Sequence, residues 1–215
     1  MFRLLASQVM RPTVPAMFVA VLAAILGAAP VAAYNGGAAA AWADSHATSY
    51  NCNQYPCDSL DCQNFVSLAM NIGGGYPQVI GTGIQSDDHL WFNTKNGLGL
   101  WVQSWSWANV MDQYNFQVTY HKPGGTVFGT APGTALYSGD GLAPGDELFF
   151  DWDSNGTLDH TGIQTTDGID PQLNKYGDLL DEHTSDRARV WWSLYPYNSQ
   201  RNTTRITEVH ISPSN

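Results

Sequence analysis

Charge is scarce in this chain, and positive charge is scarcest. Lys and Arg number nine against nineteen acidic residues, and charged residues make up 13 % of the sequence. No basic patch is present to follow a phosphate backbone, which excludes nucleic acid as a partner. The same shortage argues against simple electrostatic retention on an anionic envelope. Beyond the first thirty-odd residues no apolar run approaches the roughly 20 residues a membrane span needs. No internal repeat marks a wall-binding array. Cysteine is limited to Cys52, Cys57 and Cys62, so at most one internal disulfide forms and one thiol is left over. Aromatics, by contrast, reach 12 %, with eight Trp and ten Tyr, a composition that excludes a disordered chain.

The first segment reads as an export signal. Arg3 and Arg11 form a positive leader, Ala16 to Ala29 is an apolar run, and Val31-Ala32-Ala33 fits a small-residue cleavage site. Residues 1–33 are therefore expected to be a signal peptide. Residues 34–215 are expected to form one secreted, soluble domain, with no membrane attachment after cleavage. Loss of Arg3 and Arg11 takes the formal net charge from −10 to −12. About 180 residues suffice for one domain with a real core.

An exported protein is permitted disulfides. Cys52 and Cys57 bracket Asn53-Gln54-Tyr55-Pro56, where proline favours a turn that brings the two Cβ atoms together. Cys62 follows Asp61 and precedes Phe65, Val66, Leu68, Ala69 and Ile72. That spacing predicts a helix, ended by Gly73-Gly74-Gly75. Asp61 suits the N-cap, which places Cys62 in the first turn, where the helix dipole favours a thiolate. The alternatives are a small buried residue, or a thiol paired with Cys52 or Cys57.

Elsewhere, residues 36–47 favour helix through alanine, and 76–100 read as irregular. A helix is expected at 106–114, a short strand at 117–120, and turns at 121–139. Glu147 to Trp152 predicts a strand, with Asn155-Gly156 at a hairpin tip and His160 to Thr165 returning. Further strands are expected at 179–183, 190–194 and 205–211. Helices first and antiparallel strands after give an α+β class. Asp151-Trp152-Asp153-Ser154-Asn155-Gly156 matches the front of a calcium loop, but position twelve is Gly162 rather than the bidentate Glu of an EF-hand. A polar hairpin turn is the favoured reading. Most tryptophans belong in a core; Trp91, Trp101 and Trp105 are the candidates for exposure, with Trp101 and Trp105 lining a substrate groove.

Thiol catalysis needs a base for the thiol proton and a third polar group to orient that base. Of six histidines, only His160 has a supporting pattern. It opens the return strand, next to small residues, where it can face a neighbouring helix N-terminus.

Several motifs then resemble one family. Asp61-Cys62-Gln63-Asn64-Phe65-Val66-Ser67 with its glycine run is similar to the nucleophile motif of the putative amidase domain family, within the NlpC/P60-like papain superfamily. Tyr34-Asn35 with the alanine-rich helix, and Trp101 to Asn109, resemble it as well. Leu142 to Phe150, Asp159-His160-Thr161-Gly162-Ile163 and Asp181-Glu182-His183-Thr184 follow in the family's order. The resemblance spans about Tyr34 to Leu194. It implies a papain-like α+β fold with N-terminal helices packed on an antiparallel sheet, and a bacterial cysteine amidase or peptidase. Cys62 would be the nucleophile, His160 the general base and then acid, and His183 the orienting group, with Asp159 or Asp181 in that role as alternatives. The oxyanion would meet the backbone N–H of Cys62, with Gln63 as the next substrate-binding candidate. Neither metal nor cofactor is implied, a monomer is expected, and the substrate would be a peptide or amide such as peptidoglycan stem or cross-bridge peptides. Two other readings keep the scaffold: a non-catalytic secreted binding module, with Cys62 buried or disulfide-bonded, and a thiol acyltransferase differing only in its acceptor.

Overall fold

The computed structural model describes residues 33–50, 52–57, 59–121, 124–139 and 141–212. The expected leader lies outside them except for Ala33. No helix among the described residues is long and apolar enough to cross a membrane.

Two layers build the molecule. In the helical layer, α1 (Gly36–His46) starts at Asn35, whose side chain accepts the Ala38 N–H at 3.0 Å. Ala39, Ala40 and Ala43 are buried; with methyl side chains there, a neighbour can come close. The Cys62 segment uses that proximity. α2 (Cys62–Leu68) buries all seven of its residues and continues as a π-helical turn, Ala69–Gly73. A Cβ on Gly73 would meet the Trp42 Cβ at 2.5 Å, so this residue permits the contact with α1 as well as ending the helix. Two short helices follow, α3 (Trp105–Ala108) and α4 (Val110–Tyr114).

The sheet has six antiparallel strands in the order β3-β8-β4-β5-β6-β7. These are β3 (Gly125–Pro132), β4 (Glu147–Asp151), β5 (His160–Asp170), β6 (Lys175–Glu182), β7 (Arg187–Trp191) and β8 (Arg205–Ile211). A separate ribbon pairs β1 (Asn93–Lys95) with β2 (Trp101–Gln103). One core, with Phe65, Met70, Trp107, Phe149 and Ile163, lies between helices and sheet. A second, with Leu148, Phe150, Leu180, Trp191 and Ile206, covers the other face. Both faces of β4 are thus buried, which is why Glu147–Asp151 reads as a continuous apolar run rather than an alternation.

Several expectations fail. Residues 117–120 are not a strand, since Asn115–Tyr120 prolong α4 as a π-helical segment. Gln113, Phe116 and Gln117 are all buried, an i, i+3, i+4 stripe that a helix can bury and a strand cannot. The 121–139 region is not all turn, because β3 runs through it as the edge partner of β8. Its glycines and proline hid the strand, and they are tolerated because the strand is at an edge. Trp91 is fully buried, so it is not an exposed ring.

Candidate active site

Cys62 opens α2, and the Phe65 N–H donates to the Asp61 carbonyl at 2.9 Å to close the first turn. Asp61 occupies the N-cap position, but its side chain does not cap the helix. The carboxylate instead accepts from the Tyr50 hydroxyl, from Asn64 Nδ2 at 2.8 Å and from His183 Nδ1 at 3.0 Å. The Asp61 N–H donates to Thr184 Oγ1 at 3.0 Å. Asp61 therefore ties the start of α2 to the turn after β6. Cys52 and Cys57 are joined by a disulfide, with Cα atoms 5.4 Å apart, and Cys62 is a free thiol.

His160 begins β5 directly opposite Phe150 of β4, with its ring stacked on Trp152 at 5.3 Å between centroids. Its Nε2 bonds to Glu182 Oε2, and Cys62 lies near enough to act on the charge of the ring. Burial opposes charge on His160, but the interactions with Cys62 and Glu182 outweigh it and raise its pKa to about 9. Burial likewise pushes Glu182 up, and the contacts with His160 and Arg187 overcome it, holding the carboxyl below its ordinary value. The site therefore favours imidazolium beside carboxylate.

The third member of this row is Glu182, not His183. His183 Nδ1 faces Asp61 and its Nε2 bonds the His46 carbonyl oxygen at 3.0 Å. Its ring lies between Tyr50 and Phe65, 4.7 and 4.2 Å away between centroids. Glu182 is the last residue of β6 and His183 the first of the turn, and the two side chains go to different partners. The alternatives do not reach it either. Asp159 Oδ2 accepts the Trp152 N–H at 2.8 Å, and Asp181 Oδ1 accepts the Arg189 N–H at 2.6 Å. A sequence signal for Glu182 existed in the spacing to Arg187, an opposite-charge pair across a four-residue turn.

Cys62, His160 and Glu182 share the wall of a cleft of about 600 Å³, with Trp152, Arg187 and Tyr197 among its other residues. The expected substrate contacts lie elsewhere. The Gln63 side chain is fully buried, donating to Glu147 Oε1 at 3.2 Å and Ser67 Oγ at 3.3 Å. Trp101 stacks under the Lys95 ammonium on the ribbon and Trp105 is exposed on α3, and neither lines this cleft. Trp152 is the tryptophan that does.

Asp151, Asp153 and Asp159 bring one oxygen each within 4.8 Å of one another. Asp151 accepts from Asn155 N at 3.1 Å and Gly156 N at 2.8 Å, and Asp159 from Trp152 N. The loop's own backbone thus uses these carboxylates, as a polar hairpin turn requires.

Helices packed against a mostly antiparallel sheet make this an α+β protein, with a thiol, an imidazole and a buried carboxylate on one cleft wall. The chain belongs to the putative amidase domain family, whose model matches residues 33–206. That membership suggests hydrolysis of amides. No curated protein and no solved structure matches the chain.

Proposed function

We propose that the protein is a cysteine amidase or peptidase of papain-like architecture, acting through Cys62, His160 and Glu182. The observation that carries this reading is the Cys62–His160–Glu182 row opening on a cleft. The Cys62 thiolate attacks the amide carbonyl carbon, and the developing oxyanion meets the Cys62 backbone N–H. Imidazolium His160 gives its proton to the leaving amine as the C–N bond breaks, leaving a thioester on Cys62. His160 then takes a proton from water, hydroxide adds to the thioester, and the acid leaves as the thiolate is restored. Glu182 holds the ring in place and stabilises its charge. Two arguments weigh against a non-catalytic module: Cys62 is free of the disulfide, and although largely buried it lines the cleft.

Peptidoglycan peptides in a bacterial envelope are the proposed substrate, and export is the proposed destination. The leader-like segment and the Cys52–Cys57 disulfide support export. The test is incubation of the chain from Tyr34 onward with purified peptidoglycan and short amides, read by mass spectrometry. Amine and acid products that vanish with Cys62→Ala are expected. Products transferred to an added amine instead of water would make it an acyltransferase. No cleavage of any amide would contradict the enzyme reading.

A further inference from the structure

Resting on the thiol–imidazole reading above, we propose that Arg187 is a positioning residue of the active site. It would hold the Glu182 carboxylate ionised and turned toward His160. The two carboxylate oxygens are divided between two partners. Oε2 takes His160 Nε2, and Oε1 takes the Arg187 guanidinium. Glu182 and Arg187 are register partners across β6 and β7, so the fold sets them face to face before any side-chain choice is made. The turn joining them holds Thr184 and Asp186 at φ of 77° and 47°, a left-handed conformation that non-glycine residues adopt at a cost. That turn also carries Thr184 and His183 to Asp61, so one hairpin sets both the carboxylate and the start of the nucleophile helix.

The guanidinium is itself held. It lies over the Tyr197 ring at 5.3 Å, and the Tyr197 hydroxyl donates to Asp170 Oδ2 at 2.9 Å. Asp170 is fixed in turn by the N–H groups of Gln172, Leu173 and Trp191. The Glu182 side chain is 1 % exposed against 31 % for Arg187. A carboxylate this deep needs more than one hydrogen-bond partner to stay charged, and His160 alone would leave Oε1 without the cation now on it. The partners of Arg187 are Glu182 and Tyr197. It acts through Glu182.

The test is the rate of Cys62 alkylation by iodoacetamide against pH, which needs no substrate. Compared are the wild type, Arg187→Met, Arg187→Lys and His160→Ala. In Arg187→Met the carboxylate loses its second partner and takes up a proton at higher pH. The acid limb of the alkylation profile is then expected to move upward, and the rate at neutral pH to fall by about tenfold. Arg187→Lys keeps the charge and is expected to restore most of both. A merely structural arginine would lower the melting temperature without moving the limb. An Arg187→Met profile superimposed on the wild type would overturn the positioning role, as would Arg187→Lys behaving like Arg187→Met. If instead His160→Ala labels as the wild type does, the thiol–imidazole pair itself is contradicted, and the role of Arg187 falls with it.

Discussion

Glu182 and His183 are consecutive residues of opposite allegiance. Glu182 meets His160 at the cleft, while His183 meets Asp61 at the start of α2. The end of β6 and the first residue of its turn thus serve two separate clusters.

This division predicts different losses. Glu182→Gln is expected to lower amide turnover by about 100-fold or more even at temperatures where the variant is fully folded, since the buried His160, like Arg187, loses its counter-charge. His183→Ala is expected to do the reverse. It leaves the buried Asp61 carboxylate one hydrogen bond short, costing about 2 kcal/mol of stability, with turnover retained at temperatures where the variant is folded. Denaturant unfolding alongside a turnover assay separates the two.

The pH profile follows from His160. Its pKa is raised to about 9 in the fold against an ordinary 6.5, so the imidazolium that donates to the leaving amine persists through neutral pH. Turnover is expected to hold to alkaline pH and fall as pH rises through about 9. The stability contributed by this group has the same sign, present in full below 6.5 and lost as pH rises through about 9. A rate profile from pH 5 to 10.5 checks it.

Glu147 lies under α2 with donors from Gln63, Gln113 and Thr161. Burial raises its pKa from 4.5 to about 7, more than those donors lower it. A raised carboxyl contributes stability below 4.5 that disappears as pH rises through about 7. Relative to Glu147→Gln, the wild type is expected to lose about 3 kcal/mol between pH 4.5 and 8. Asp181, also raised to about 7 by burial, titrates in both proteins and cancels in the difference. Urea unfolding at both pH values measures it.

The Cys52–Cys57 disulfide closes a short loop whose Pro56 carbonyl accepts from Asn64 Nδ2 of α2 at 3.0 Å. Cys52→Ser with Cys57→Ser is expected to cost about 2 kcal/mol and to leave the alkylation rate of Cys62 within a few-fold of the wild type. Unfolding curves and intact-protein mass check the two parts.

Much of this site was legible in the residues. Cys62 after Asp61, before a helical apolar pattern, specified the start of α2. His160 opening a return strand specified β5, and Asn155-Gly156 marked the loop that joins it to β4. Strands at 147–151 and 205–211 were equally plain, being short and rich in apolar or β-branched residues. What escaped was set by long-range pairing. β3 exists because β8 gives its backbone partners, and the 115–120 segment stays helical because Phe116 and Gln117 are both buried. Glu182 escaped for a related reason. The register slips between Leu180 and Glu182, so strand parity counted along the sequence does not tell which neighbour faces His160.

The proposed chemistry stands on an acyl-enzyme at Cys62. Rapid acid quench of the protein turning over an amide substrate, followed by intact and peptide mass spectrometry, tests it directly. A mass gain equal to the acyl group minus one hydrogen, located on Cys62, is expected, with no gain and no turnover in Cys62→Ser. Turnover by Cys62→Ser at the wild-type rate, or an acyl group found on another residue, would contradict it.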